Sequence, residues 1–245
     1  MAPEPERVRP IDDSPRAVFL ILLAGMVAVP FAAGLVAGIA GASESPLAKS
    51  GAALVQQAAL ALLTVQRLRR LGVSLASLRA LVDDAKVALQ GLAGGAGLVL
   101  VNLAASQASA LLFLALLGPE RLAEWLAREQ GVLRELLSKD AGPLHLGLAV
   151  FIAVGTAPFV EELFFRGYAY PVFKRHLGRR ALWASALVFA AVHFYIIGFL
   201  PIFVIGVLLA RLYERTGSLA SAILAHAVAN AGVAILVFWA QRAVG

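Results

Sequence analysis

The chain has 245 residues, 60% of them hydrophobic and 15% charged, with a mean hydropathy of +0.84 and a formal net charge of +6. A soluble core of this length cannot absorb so many apolar side chains without leaving large exposed patches, so a water-soluble domain is excluded and a polytopic membrane protein expected. Lys and Arg come in short clusters between long uncharged stretches, a pattern of loops meeting anionic lipid and not of a nucleic-acid surface; cysteine is absent, which removes disulfides, thiolate metal sites and a cysteine nucleophile.

Residues 1–16 are rich in Pro and charge, show no packing pattern and predict a mobile cytoplasmic arm. Residues 17–41 form an uncharged run of 25, beyond the roughly 7–15 residues of a signal-peptide core, and read as a retained first span. A shorter second span covers 51–66 and ends at Arg67, Arg69 and Arg70, whose long side chains can snorkel outward. An amphipathic turn at 74–86 leads to 87–117, 31 residues without a formal charge, long enough to tilt or to kink at Gly91, Gly94, Gly95 and Gly97. The Gly34/Gly38 and Gly91/Gly95 spacings match small-residue helix contacts, and packing is their natural reading.

Residues 119–140 place Leu122, Trp125, Leu126, Leu133, Leu136 and Leu137 on one face and acids and bases on the rest, which predicts an interfacial amphipathic helix bent near Gly131. From 146 the chain is apolar again, is interrupted by Glu161, Glu162 and Arg166, and continues to Tyr168. Residues 181–210 carry no formal charge and would make one helix of about 45 Å, so two spans broken near Gly198 and Pro201 are expected. Residues 217–240 supply the last of seven spans. With the N-terminus inside, fourteen of the 21 Lys and Arg face the cytoplasm, six face the other side and Arg166 lies within a span, which predicts a cytoplasmic N-terminus and an outside C-terminus. A single span across 181–210 changes the ratio only to thirteen against seven. The expected fold is thus all-α: a transmembrane helical bundle of about seven spans with an arm (1–16), N-terminal spans and amphipathic helix (17–140), and a core (141–245).

An ionisable side chain inside a span costs several kcal/mol unless paired or hydrated, so each one is a functional candidate. They are Glu161, Glu162, Arg166, His193 and His226, joined by the amide Asn230. Glu162 and Arg166 are four apart and can pair, whereas Glu161 is rotated about 100° away and lacks that partner. His226 and Asn230 share a helix face, and Phe189 can pack beneath His193. Measured from the cytoplasmic boundary, Glu161, His193 and His226 lie roughly 20, 18 and 12 Å deep, so three helices are expected to converge on one polar pocket. Such a pocket has a base for water, a group to orient it and donors for a developing oxyanion. Singly, each element has a structural reading: an ion pair bracing a helix, a core histidine bonded to a carbonyl, polar glue between helices. Their conjunction at matched depth points to a site. His145 and His176 lie at span edges with no chemistry assigned, and Tyr168, Tyr170, Tyr195 and Trp239 read as interface-belt residues.

Glu161-Glu162-Leu-Phe-Phe-Arg166, then Phe189-Ala-Ala-Val-His193, then His226-Ala-Val-Ala-Asn230 resemble the three-motif signature of the CPBP family of intramembrane proteases. That family includes the CaaX prenyl endopeptidases and the bacterial bacteriocin-processing and immunity (Abi) proteins. The likeness covers about 146–239. It implies an intramembrane endopeptidase of the inner (plasma) membrane acting on a membrane protein or peptide in the bilayer. Glu161 and His193 would activate water, His226 and Asn230 would stabilise the oxyanion, and Glu162 with Arg166 would hold the site or contact substrate. The resemblance allows either a glutamate mechanism with no cofactor or a zinc ion held by Glu161, His193 and His226. The lack of two strong ligands one turn apart, and the weakness of Asn as a zinc ligand, favour the first. No Ser, Thr or Cys accompanies the motifs, so hydrolysis without an acyl-enzyme is expected. The alternatives are a non-catalytic peptide-binding or immunity protein and a proton-coupled transporter, the latter disfavoured by the lack of an inverted repeat.

Overall fold

The computed structural model describes residues 8–39, 46–73, 85–136 and 142–243, and among them there is no strand. Helix α1 runs through Pro15–Leu22, a π-helical turn Leu23–Ala28 and Val29–Ile39. Helix α2 is Pro46–Arg70 and α3 is Ala85–Leu136. Helix α4 is built from Pro143–Val150, a π-helical turn Phe151–Thr156, Ala157–Phe164, a second π-helical turn Phe165–Ala169, and Tyr170–Leu177. Helices α5 (Ala181–Ala191), α6 (Phe199–Thr216) and α7 (Leu219–Ala243) follow. Phe31, Ile39, Leu100 and Trp239 are all more than 60% exposed, a surface suited to lipid and not to water.

Five stretches among the described residues are long and apolar enough to cross a membrane: Pro15–Val36, Leu47–Arg70, Ala85–Gly131, Pro143–Ala191 and Leu219–Ala240. The break expected near Gly198 is present, with 192–198 irregular and Gly198 immediately preceding α6. Its two halves are unequal, however: α5 has only 11 residues, and the 18 residues of α6 end in a charged segment with Arg211, Glu214 and Arg215. The amphipathic turn expected at 74–86 lies outside the described residues as far as 84, as do 137–140 of the amphipathic helix.

Two local expectations are corrected, at Gly131 and at Gly34/Gly38, and a third, packing at Gly91/Gly95, holds. The bend in the amphipathic region falls at Gly118 (φ 78°, ψ 170°), a conformation that suits glycine, followed by Pro119, which has no N–H to continue the helical ladder; the helix then passes straight through Gly131. Gly91 and Gly95 do not kink α3 but seat it on α7. A Cβ added at Gly95 would lie 2.5 Å from the Val228 Cβ, one at Gly91 2.8 Å from the Leu224 Cβ, and Gly232 of α7 makes room for Val99 in return. At Gly34 and Gly38 an added Cβ meets nothing within 4 Å, so that spacing marks no contact among the described residues.

The arm expected to be mobile is, from residue 8 onward, packed against the bundle. Val8 is buried, and the Ile11 amide donates to the Pro171 carbonyl (3.2 Å). The Asp13 carboxylate accepts from Arg67 Nε (2.7 Å) and a second guanidinium N–H, from the Tyr168 hydroxyl (2.6 Å) and from the Ser14 amide (2.7 Å). His176 donates through Nε2 to the Asp13 carbonyl (2.7 Å). One carboxylate thus ties the start of α1 to the ends of α2 and α4. Tyr168 and Tyr170, expected in the interface belt, are instead buried, with their hydroxyls bonded to Asp13 and Glu214.

Arg67 above all, with Tyr168 and the Ser14 amide, holds the Asp13 carboxyl down at about 2 against the opposing effect of burial. Because its folded-state pKa lies below the ordinary 3.8, its stabilisation is present above that range and is lost as pH falls toward about 2. Asp13→Asn is expected to lower stability in reversible mixed-micelle unfolding by about 2 kcal/mol at pH 7, with the deficit vanishing at the acid end. In the same assay Gly95→Ala should cost about 1–3 kcal/mol, since the Val228 contact cannot be made at 2.5 Å, while Gly34→Ala stays within about 1 kcal/mol on the stabilising side.

Candidate active site

The two π-helical turns of α4 flank Glu161 and Glu162, and each turn re-aims the side chains that follow it. The two adjacent acids meet opposite surroundings. The Glu162 side chain has no exposure, and its Oε1 accepts from Arg166 NH1 (2.7 Å) and from His226 Nδ1 (2.9 Å). Arg166, also fully buried, donates through NH2 to the Gly206 carbonyl of α6 (2.8 Å), and its guanidinium lies 4.8 Å from the centre of the Phe189 ring. Gly206 permits this approach, since a Cβ there would stand 3.2 Å from both Ala186 and Phe189 of α5. A cluster of one acid and two bases therefore joins α4 to α5, α6 and α7 through these contacts, while Glu162 Oε2 and Arg166 Nε are buried without a hydrogen-bond partner.

Glu161 points elsewhere. Its side chain is 20% exposed, its Oε2 has no hydrogen-bond partner, and that oxygen lies 4.0 Å from His226 Nε2. His193 follows the end of α5, and its Nδ1 lies 2.7 Å from the Phe189 carbonyl. Only an N–H can satisfy a carbonyl, so Nδ1 carries the proton and a neutral ring presents Nε2 as an acceptor. Phe189 packs edge-on to both imidazoles, with centroids 4.9 Å from His193 and 5.9 Å from His226. Asn230 donates through Nδ2 to the Ala153 carbonyl (2.8 Å) in the first π-helical turn of α4, which leaves a second N–H on the same nitrogen.

Glu161, His193, His226 and Asn230 line a single cavity of about 280 Å³. Glu162 and Arg166 are not in its wall; they stand behind His226 and support it. Two further polar residues line the cavity, Asn102 of α3 and Tyr195 of the 192–198 turn. Tyr195 was expected at the interface belt. Asn102 lies in a long uncharged run, where an amide is the signal that a search for ionisable groups passes over. Among the described residues, no three His, Asp or Glu side chains are grouped to ligate one metal ion.

Residues 143–232 match the family model described as type II CAAX prenyl endopeptidase Rce1-like. The uncharacterized protein YpbD of Bacillus subtilis (strain 168) is 34% identical over 105 residues, which cover 41% of this chain and 49% of that protein, so the chain spans about half the length of this relative. No solved structure matches the chain. The matched segment begins with α4, runs into α7 and holds all six residues from Glu161 to Asn230, so the likeness to the CPBP family is carried by residues 143–232.

Proposed function

We propose that this protein is an intramembrane endopeptidase that hydrolyses a peptide bond of a membrane-associated protein or peptide with water activated by Glu161 and His193. The observation that carries the proposal is the convergence of Glu161, His193, His226 and Asn230 on one cavity inside an apolar bundle. The likeness of residues 143–232 to a prenyl endopeptidase family supports proteolysis, and among the described residues the cavity lining contains no Ser, Thr or Cys, which favours attack by water over an acyl-enzyme.

In this reading the unpartnered Glu161 oxygen takes a proton from water while His193 Nε2 orients it, and the new C–O bond forms at the scissile carbonyl carbon. His226, carrying protons on both nitrogens and balanced by Glu162, donates Nε2–H to the resulting oxyanion, with the second Asn230 N–H beside it. Protonated Glu161 then delivers its proton to the leaving nitrogen as the C–N bond breaks, the tetrahedral carbon collapses to a carboxylic acid, and the remaining hydroxyl proton passes to the freed amine, leaving a carboxylate. Each step uses side chains of this chain alone. A mechanism with no metal is preferred to zinc on Glu161, His193 and His226, because no two strong ligands lie one turn apart in the motifs and Asn is a weak zinc ligand. We further place the protein in the cell membrane with a cytoplasmic N-terminus, on the distribution of basic residues.

Adjacent acids make the sharpest test. Glu161→Gln should lower cleavage by about 10²–10⁴-fold while unfolding stays within about 1 kcal/mol of wild type. Glu162→Leu should instead cost about 3–5 kcal/mol of stability, because Arg166 is left buried without its acid. The assay compares membrane proteomes of a deletion strain complemented with each variant, reading accumulation of longer precursors; full processing by Glu161→Gln would contradict the proposal. The cysteine-free chain also allows clean topology mapping. A membrane-impermeant maleimide applied to intact cells should label Glu120→Cys and spare Arg179→Cys until the membrane is permeabilised.

A further inference from the structure

His193 and Tyr195 both line the reaction cavity, and both sit in an irregular turn, 192–198, that lies between α5 and α6; His193 and Phe194 are tied back to the end of α5, whereas 195–198 have passed beyond it. The residue between them, Phe194, has φ 55°, a left-handed conformation that L side chains other than Asn and Asp seldom adopt. Its ring is 77% exposed, so packing of that side chain does not secure the conformation. A strained turn persists only where its surroundings over-determine it.

The determining contact comes from α3. The backbone N–H groups of Ile196, Ile197 and Gly198 converge at the N-terminus of α6, and one carboxylate takes all three. Glu129 Oε1 accepts from Ile196 (2.7 Å) and Ile197 (2.9 Å), and Oε2 accepts from Gly198 (2.9 Å). The Ser109 hydroxyl, also of α3, donates to the Ile197 carbonyl (2.6 Å). Gly198 gives the room: a Cβ there would lie 3.1 Å from Tyr195 and 3.4 Å from the Glu129 carboxylate. Three converging N–H groups at the positive end of an 18-residue helix form a natural anion seat, and here a carboxylate of the same chain fills it.

We infer that Glu129 is a positioning residue that clamps the 192–198 turn and so sets His193 and Tyr195 in the reaction cavity. It lies outside residues 143–232, the segment that the family model matches. The clamp borders a smaller chamber of about 180 Å³ that shares Asn102 and Tyr195 with the reaction cavity, so the seat is open to small solutes. The role in catalysis rests on the hydrolase reading; the clamp itself does not. A glutamine is the discriminating replacement, because it keeps one acceptor oxygen and turns an N–H₂ group toward an N–H that needs an acceptor.

Hydrogen exchange on the full-length protein in lipid nanodiscs tests the clamp without any substrate. In wild type the amides of 196–198 should be protected, and in Glu129→Gln they should exchange at least about tenfold faster while the middle of α7 is unchanged. In Glu129→Ala, which keeps a good helix former in α3, millimolar formate should restore protection in a dose-dependent way and formamide should not. In the cleavage assay Glu129→Gln should lose about 10–100-fold in kcat with KM within about twofold, and formate should recover part of the rate for Glu129→Ala. Unchanged exchange at 196–198 in both variants would overturn the clamp, and faster exchange with an unchanged kcat would overturn its positioning role. The exchange result stands whether or not the wild-type protein cleaves the peptide offered, so failure of the clamp and failure of the hydrolase reading are told apart.

Discussion

A carboxylate with no exposure inside an apolar bundle is the constraint on which the rest of the site depends. Glu162 is accommodated there by partners from two helices: Arg166 one turn along α4 and His226 across from α7. Arg166 in turn needs an acceptor for its remaining N–H groups and finds the Gly206 carbonyl on α6, which is reachable because Gly206 has no side chain to hold α6 away from α5. Such a cluster adds little net stability over a well-packed apolar core, since desolvation offsets the attraction, but loss of any one member leaves the others buried and uncompensated. Its contribution is register. With Glu162 facing inward, Glu161 is rotated onto the cavity face, and two consecutive acids acquire different roles from their surroundings: one bonded through Oε1 to Arg166 and His226 and structural, the other facing the cavity beside an imidazole.

The segment that carries the family likeness does not hold this geometry by itself. Helix α3 lies wholly outside it and supplies Asn102 to the cavity wall, Glu129 and Ser109 to the turn that bears His193, and the glycine face on which α7 rests. At the other end, Asp13 fastens the first described residues to α2 and α4 through Arg67 and Tyr168. The N-terminal half thus acts as a frame: it supports α7, which presents His226, and the turn whose backbone is left-handed at Phe194.

Much of this was legible in the sequence because bilayers make rules simple. The helical bundle followed from uncharged runs, the Glu162/Arg166 pair from its spacing of four, and the meeting of Glu161, His193 and His226 from comparable depths in three apolar runs. What stayed hidden depended on long-range pairing. Asp13 sits in a segment without periodicity, and its partners Arg67 and Tyr168 lie 54 and 155 residues away, so nothing local distinguishes it from a solvated acid. Asn102 carries no charge and barely alters the hydropathy of its run. The bend at Gly118 in place of Gly131 turned on the following Pro119, a stronger stop than a lone helical glycine. The basic-residue count left the number of spans nearly open, and the shortness of α5 shows the reason: half of the 30-residue uncharged stretch ends in a turn inside the bundle to deliver His193 to the cavity.

The shared Glu162 carboxylate is the centre of this account, and the ring nitrogens of His226 report on it directly. Nitrogen-15 NMR of histidine-labelled protein in lipid bilayers, with the four histidines assigned by substituting each in turn, reads which nitrogen carries the proton. The account predicts a protonated His226 Nδ1 in a charge-assisted hydrogen bond to a carboxylate, with the signal displaced in Glu162→Gln. An unprotonated Nδ1 in the wild-type protein, or a signal that does not respond to Glu162→Gln, would contradict it.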